Sequence, residues 1–306
     1  MKLERTINRL CIEKKGVAPN LSNPSTFTDK LQWLKLYDQR PEQIVCVDKY
    51  LCRGYVAERI GNSFLLDVYG VSDHIDHLPF DVFPTVYVLK TNHDNGSVRV
   101  IHNKHDLKNA RSFLKKRARR TFGREKGEWA YAHVKPLFFA EQFMPGDVID
   151  YKFHCCSNEV KWVRVIHERT GQSPLEIVVD RDYQPMGIPF DPLMRTSNTP
   201  PPRPASWETM IEAALTLADG FKFVRVDLYE LDGKPKFGEM TFWPLAGVLT
   251  TEHDVFFGSL LDFDTDIKKT PMHDDLSFSS YPKKGLKGMA AKLGYRMLDY
   301  GIKKDA

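Results

Sequence analysis

The chain has 306 residues, 42% of them hydrophobic and 27% charged, a composition that excludes a disordered, collagen-like or disulfide-scaffold protein. Its 44 Lys plus Arg against 40 acids leave a net charge of +4, too small an excess to indicate nucleic acid as a partner. The length favours two or three packed subdomains over one uniform globule.

Five cysteines, Cys11, Cys46, Cys52, Cys155 and Cys156, lack CxxC spacing and fit a reducing compartment. No apolar run approaches the ~20 residues that span a bilayer, and Met1 to Arg5 leads into polar sequence, so a cytoplasmic location is expected. The first 70 residues read as helices, with Pro24-Ser25-Thr26 ahead of Phe27 to Tyr37 and Pro41 ahead of Glu42 to Ile60. From about Phe80 the pattern becomes α+β: a strand at Val86 to Leu89, a turn from Asn92 to Gly96, a strand from Val98 to Ile101, and a basic helix from Asp106 to about Phe122. Leu137 to Ala140 is a further buried strand, followed by strands around Val148 to Cys155 and Lys161 to His167, the latter closed by a turn near Gly171. Thr199 to Pro204 can only be a surface connection. Ser206 is expected to cap a helix ended by Gly220, and strands Phe221 to Glu230 and Lys236 to Phe242 complete a mixed α+β body. The tail from Pro282 to Lys304 reads as an amphipathic helix that either packs on the body or makes a peripheral contact with an anionic membrane.

The last two strands are the richest in chemistry. Alternation sends Val224, Val226 and Leu228 to a core face and Arg225, Asp227 and Tyr229 to the other. The position of Glu239 depends on the turn. A two-residue Asp232-Gly233 loop pairs Leu231 with Lys234 and puts Glu239 on the sheet face away from Asp227, whereas a three-residue Leu231-Asp232-Gly233 loop pairs Glu230 with Lys234 and puts both acids on one face. The odd loop is therefore the expectation for a shared metal, with Asp227 and Glu239 as diagonal neighbours about 7–8 Å apart and Thr241 beside them, suited to one or two Mg²⁺. The competing reading is a solvated hairpin whose acids pair with Arg225 and lysines.

Two further segments suit a nucleotide. Lys90 ends an apolar strand and precedes a flexible polar turn, Thr91 to Val98, whose Asn92, Gly96 and Ser97 could approach phosphate; a plain β-hairpin is the alternative. Walker and dinucleotide glycine patterns are absent. Around Phe138 to Met144, apolar residues can sandwich an adenine while the connector Glu141-Gln142-Phe143 reads its edge, and Asp150 and Lys152 alternate onto one strand face for ribose and phosphate. The His74/His77 and His102/His105 pairs lack a convincing third metal ligand and read as surface histidines. Cys155 and Cys156 read as buried structural thiols. The run Lys115 to Arg120 reads as a solvated helix face or as a contact for an anionic polymer.

In this order, the words Phe27-Thr28-Asp29-Lys30-Leu31-Gln32-Trp33, Val47-Asp48-Lys49-Tyr50, Val88-Leu89-Lys90-Thr91-Asn92-His93, Asp150-Tyr151-Lys152-Phe153, Arg225-Val226-Asp227-Leu228-Tyr229 and Phe237-Gly238-Glu239-Met240-Thr241-Phe242 resemble the ATP-grasp superfamily, and more closely its TupA-like branch, associated with teichuronopeptide and other bacterial surface polysaccharides. The resemblance spans residues 27 to 242. It implies an α+β ATP-grasp fold with a largely helical region over 1–78, a small flap subdomain over 79–140, a larger catalytic subdomain over 141–265 and an extension over 266–306. It implies ATP and Mg²⁺ as cofactors, with Lys90 and, less directly, Lys49 on the nucleotide. Asn92 to Ser97 become the flap, Glu141, Gln142, Phe143 and Met144 the adenine hinge, and Asp150 a ribose or phosphate-side contact. Asp227 and Glu239 become the metal ligands, Lys152 a neutraliser of phosphoryl charge and Arg225 a clamp on the transferred group. Thr241 stands where many ATP-grasp enzymes carry Asn, which weakens the case for a second metal.

The implied activity is an ATP-dependent carboxylate-amine ligase working through an acylphosphate, with a uronic-acid saccharide or sugar nucleotide and a small amine as partners in capsule or surface-polysaccharide synthesis. A sugar kinase on the same scaffold and a non-catalytic nucleotide- or glycan-binding protein are the alternatives.

Overall fold

Local capping and one competing side chain set the helical region. In the computed structural model, which describes residues 2–169 and 173–265, α1 (Lys2–Lys15) precedes α2 (Phe27–Tyr37). Thr26 accepts from the Asp29 amide while the Asp29 carboxylate takes the Thr26 amide, so two donors at the helix start are satisfied reciprocally. Where the sequence predicts one helix over 42–60, two form, α3 (Pro41–Val47) and α4 (Cys52–Ile60). The break has a cause: the Asp48 carboxylate accepts from the Tyr50 and Leu51 amides at 2.9 and 3.0 Å, which diverts them from the helix. The Lys49 amide donates instead to the Asn92 carbonyl at 3.0 Å.

The first sheet contains β1 (Val68–Ser72), β2 (Tyr87–Thr91), β3 (Val98–Ile101) and β4 (Phe138–Gln142), ordered β1-β4-β2-β3 with all pairs antiparallel. The sequence reading gives no strand before Phe80. β1 escapes it because its five residues are all half-buried and show no alternation, and it forms by pairing with β4 across a register shift between Val68 and Gly70. Helix α5 (Lys104–Ala118) begins at Asn103, whose side chain accepts from the His105 and Asp106 amides. Its Ala110 and Leu114 are buried with Leu89, Ile101 and Ala140, so one face of this sheet is core. Lys90, Phe139 and Glu141 point to the other face.

The second sheet contains β5 (Asp150–Cys156), β6 (Glu159–His167), β7 (Leu175–Val179), β8 (Arg195–Thr196), β9 (Phe223–Leu231) and β10 (Lys234–Thr241). Its order is β10-β9-β5-β6-β7-β8, antiparallel except for the β7-β8 pair. Helix α6 (Trp207–Ala218) packs on one face through Trp207, Met210 and Ala214 against Tyr151, Phe153 and Val226. Ser206 does not cap this helix through its side chain. Its amide and hydroxyl both donate to the Glu230 carboxylate, which ties the helix start to the end of β9.

Helix α7 (Asp254–Ser259) returns to α2, where Asp254 accepts from the Thr28 amide at 2.8 Å and pairs with Lys15. All five cysteines are buried and unbridged, as read for Cys155 and Cys156. Among the described residues no helix is long and apolar enough to cross a membrane. The helix expected over 282–304 and the turn at Gly171 lie outside the described residues.

Candidate active site

The hairpin β9-β10 is closed by the two-residue loop, not the three-residue one. Leu231 pairs with Lys234, and Asp232 and Gly233 take φ of 52° and 70°, the left-handed pair that a tight hairpin turn uses. This register alone would separate the acids. A β-bulge at Gly238 corrects it: Phe237 still faces Leu228, but Glu239 faces Asp227, so one extra residue returns Glu239 to the face of Asp227. The acids are therefore direct cross-strand partners, not the diagonal ones the odd loop implied. Glycine is required there because a Cβ on Gly238 would lie 2.7 Å from Tyr229 Cε2 and 3.1 Å from the Asp227 carbonyl.

The pairing continues across the sheet as a row, Glu239, Asp227, Lys152 and Arg164, with Arg225, Tyr229 and Asp150 on the same face. Arg225 donates through Nε and Nη2 to both Asp227 oxygens at 2.6 and 2.8 Å, and Nη2 also reaches Glu239 Oε1 at 2.8 Å. Lys152 joins Asp227 and lies 2.6 Å from Asp150. Thr241 donates to Glu239 at 3.3 Å. Burial pushes the Asp227 carboxyl up against the pull of Arg225 and Lys152. Glu239 goes the other way: desolvation raises it, but Lys49, Arg225 and Lys152 together bring it down to about 2.

Lys49 connects the two sheets. Its ammonium donates to the Asp94 carbonyl at 2.7 Å and lies 3.7 Å from Glu239, so the break between α3 and α4 delivers a cation to the acid pair. Lys90 is not joined to these acids. It pairs with Glu141 at 2.5 Å and lies over the Phe139 ring at 5.0 Å.

The polar turn is clasped where the sequence suggested flexibility. Asp94 accepts from Thr91 at 2.7 Å, Ser97 at 2.6 Å and Arg117 at 2.8 Å. Asn92 is wholly buried, donating to Asp48 and the Lys135 carbonyl and accepting from the Leu137 amide. Asn92 and Ser97 are thus committed to holding the turn, and of the three predicted phosphate-side residues here Gly96 alone has open space around it. In the predicted hinge, the Gln142 amide is already taken by the Asp67 carbonyl at 2.8 Å and the Glu141 side chain by Lys90 and Arg53. That leaves Phe143 and Met144 as the hinge residues beyond the strand.

Sequence reasoning missed Asp48, Asp94, Arg117 and Arg53, which position Lys49, the turn and Glu141. Asp48 precedes Lys49 and Asp94 lies inside the predicted turn, whereas Arg53 and Arg117 carry no signal that ties them to the site. For a divalent cation the donor set is of the right kind: Asp227, Glu239 and Thr241 offer hard oxygens on one face, and the neighbouring Asp150 Oδ1 is buried without a hydrogen-bond partner. Among the described residues no group of three or more His, Cys, Asp or Glu is arranged to hold a metal unaided.

A model of the TupA-like ATPgrasp family matches residues 29–262. No curated protein matches the chain. Among solved structures, the chain is similar to D-alanine-D-alanine ligase from Helicobacter pylori at 13% identity and a TM-score of 0.45, covering 77% of this chain and 67% of that one. It is also similar to the D-alanine-D-alanine ligase from Bacillus anthracis complexed with ATP (17% identity, TM-score 0.40, 65% of this chain and 55% of that one). The L-amino acid ligase from Bacillus licheniformis gives 15% identity, a TM-score of 0.40, and 78% and 49% coverage. The chain spans about half the length of these last two structures.

Two outcomes follow from this geometry. Gly238→Ala is expected to destabilise the fold by about 1–3 kcal/mol through overpacking, seen as a lower thermal midpoint; an unchanged midpoint contradicts the bulge. The depressed Glu239 carboxyl contributes stability that is present above its ordinary value of 4.5 and lost as pH falls toward 2. Lys49→Met removes the largest cationic influence on it, so acid unfolding followed by circular dichroism should begin at higher pH than in the wild type. Coincident acid transitions contradict the pairing.

Proposed function

The chain belongs to the TupA-like ATP-grasp family, and from that premise we propose that it is an ATP-dependent carboxylate-amine ligase joining an amino acid or amino alcohol to a uronic acid in bacterial surface-polysaccharide synthesis. The observation that carries the reading is the pairing of Glu239 with Asp227 on a face shared with Lys152, Arg225 and Lys49. Acids alone repel a triphosphate. Acids interleaved with cations can grip a divalent ion and phosphoryl oxygens together.

In this reading Asp227 and Glu239, with Thr241 beside them, hold Mg²⁺, which neutralises charge on the phosphate oxygens when bound. Arg225 and Lys152 are released from Asp227 to meet the transferred phosphoryl group. Lys49 approaches the same group from the turn, and Lys90 exchanges Glu141 for an ATP phosphate. Phe143 and Met144 flank the adenine, and Asp150 faces the ribose or the phosphate side. A uronate oxygen attacks the γ-phosphorus as the bond to the bridging oxygen breaks, and ADP leaves with that electron pair. The amine nitrogen then attacks the acyl carbon, the C–N bond forms, phosphate departs, and the surplus amine proton passes to solvent. No protein nucleophile takes part; the chain's residues orient the reactants and offset charge.

The test is incubation with Mg·ATP and a panel of uronic acids and amines, following ADP, phosphate and amide mass. ADP and phosphate are expected only when both organic substrates are present. ADP formed with a saccharide alone, together with a phosphorylated product, replaces the ligase by a kinase. Asp227→Asn and Glu239→Gln should each lower ATP consumption by about 10²-fold or more. Glu239→Gln is the cleaner variant, because Glu239 is partly exposed whereas unpairing buried Arg225 by Asp227→Asn costs stability of about 3–5 kcal/mol as well. Wild-type turnover in both variants overturns the reading.

A further inference from the structure

A concavity of about 370 Å³ lies at the C-terminal end of α5, lined by His93 of the flap turn and by the end of the basic run, and by none of the residues placed on the metal, phosphoryl group or adenine. Its wall carries Arg119, Arg120, Arg124 and Lys135 and no Asp or Glu. The distribution of charge along α5 is uneven. Arg111 and Lys115 share Asp76, Arg117 pairs with Asp94, and Lys135 lies 3.6 Å from Asp73. Among the described residues no carboxylate pairs with Arg119, Arg120 or Arg124. The uncompensated part of the basic run therefore sits at this cavity, where guanidinium groups can bind carboxylate or phosphate in a forked geometry.

A second, independent feature points inward. His93 lines the cavity, is 2% exposed, and neither ring nitrogen completes a hydrogen bond, although the Arg117 and Arg120 carbonyls lie beside it. An unsatisfied buried polar group is costly, and a ligand hydroxyl or anion could offset that cost. Phe122 and Tyr131 meet edge to face at 5.2 Å on the same wall and offer an apolar surface for a sugar ring. The cavity is linked to the acid pair through the turn: His93 on its wall precedes Asp94, whose carbonyl accepts from Lys49 at 2.7 Å, and the Lys49 ammonium lies 3.7 Å from Glu239.

We propose that this cavity is the acceptor subsite and takes an anionic saccharide, either a uronate or a sugar phosphate. Its volume fits a unit of one or two sugars and is too small for the extended groove a nucleic acid strand requires. The assignment rests on Asp227 and Glu239 being the centre of phosphoryl transfer, to which the cavity wall leads through His93, Asp94 and Lys49.

The experiment titrates the full chain calorimetrically with digalacturonate, glucose 1-phosphate, neutral cellobiose and a short oligothymidylate, and separately with Mg·ATP. The same titrations are made on Arg120→Glu/Arg124→Glu and on Lys135→Glu, all exposed positions, with thermal midpoints checking the fold. The expected result is binding of digalacturonate or glucose 1-phosphate but not cellobiose, weakened about tenfold or more in the double variant, with Mg·ATP affinity unchanged. Stronger binding of digalacturonate than of glucose 1-phosphate identifies the carboxylate as the recognised anion, and the reverse identifies phosphate. Equal saccharide affinity in wild type and variants, no saccharide binding at millimolar concentration, or tighter binding of the oligothymidylate overturns the proposal. If Mg·ATP fails to bind while digalacturonate binding depends on Arg120 and Arg124, the cavity assignment stands and the phosphoryl-transfer reading falls.

Discussion

Arg225 holds both oxygens of Asp227 and one of Glu239, and Lys152 completes the grip on Asp227. Four charged residues on three neighbouring strands are thereby held together on one face of a sheet whose opposite face packs against α6. Desolvating such groups is expensive, and their mutual attraction offsets the cost only when geometry and hydrogen bonding are good. Buried polar networks of this kind contribute little net stability and are common where chemistry requires charge. The interaction also keeps the cations beside the acids, which under the proposed ligase reading is the arrangement that a triphosphate and a divalent ion would redistribute.

The rest of the molecule can be understood as support for that row. The Gly238 bulge aligns the acids, and the tight Asp232-Gly233 turn would misalign them without it. Asp48 breaks the long helix, and the break sends Lys49 to Glu239. Asn92 and Asp94 hold the β2-β3 turn against that break, fixing the first sheet relative to the second at the point where Lys49 crosses. Asp48 and Asn92 satisfy backbone groups, and Asp94 ties together the Thr91, Ser97 and Arg117 side chains, so short polar residues give these loops a defined shape.

Much of this was legible in the sequence. Strand alternation around Val224 to Tyr229 separated core from charge correctly, the Phe27 to Tyr37 helix and its Thr26 start were visible, and Asp150 and Lys152 were expected on one face. The face of Glu239 was also anticipated, but through the wrong loop. Alternation counts residues, and a bulge adds one residue without changing composition, so a lone Gly238 inside a strand was the only available clue. The helix over 42–60 failed for a similar reason: apolar spacing persists through Asp48, and only its side-chain hydrogen bonds to Tyr50 and Leu51 decide the break. Asn92 and Ser97 look the same in sequence whether they face a ligand or clasp a turn. Which they do depends on Asp48, Asp94 and Arg117, residues distant in the chain or not distinguished by pattern.

The central claim is that Asp227 and Glu239 grip a divalent cation beneath a triphosphate. A crystal structure of the chain with Mn²⁺ and a non-hydrolysable ATP analogue tests it most directly, because anomalous scattering distinguishes the metal from water and lighter ions. The expected result is a Mn²⁺ peak bridging the two carboxylates and the analogue's phosphate oxygens, with Arg225 and Lys152 turned from Asp227 to the phosphates. A nucleotide bound elsewhere, or Asp227 still wholly engaged by Arg225 and Lys152 with no metal between the acids, would contradict it.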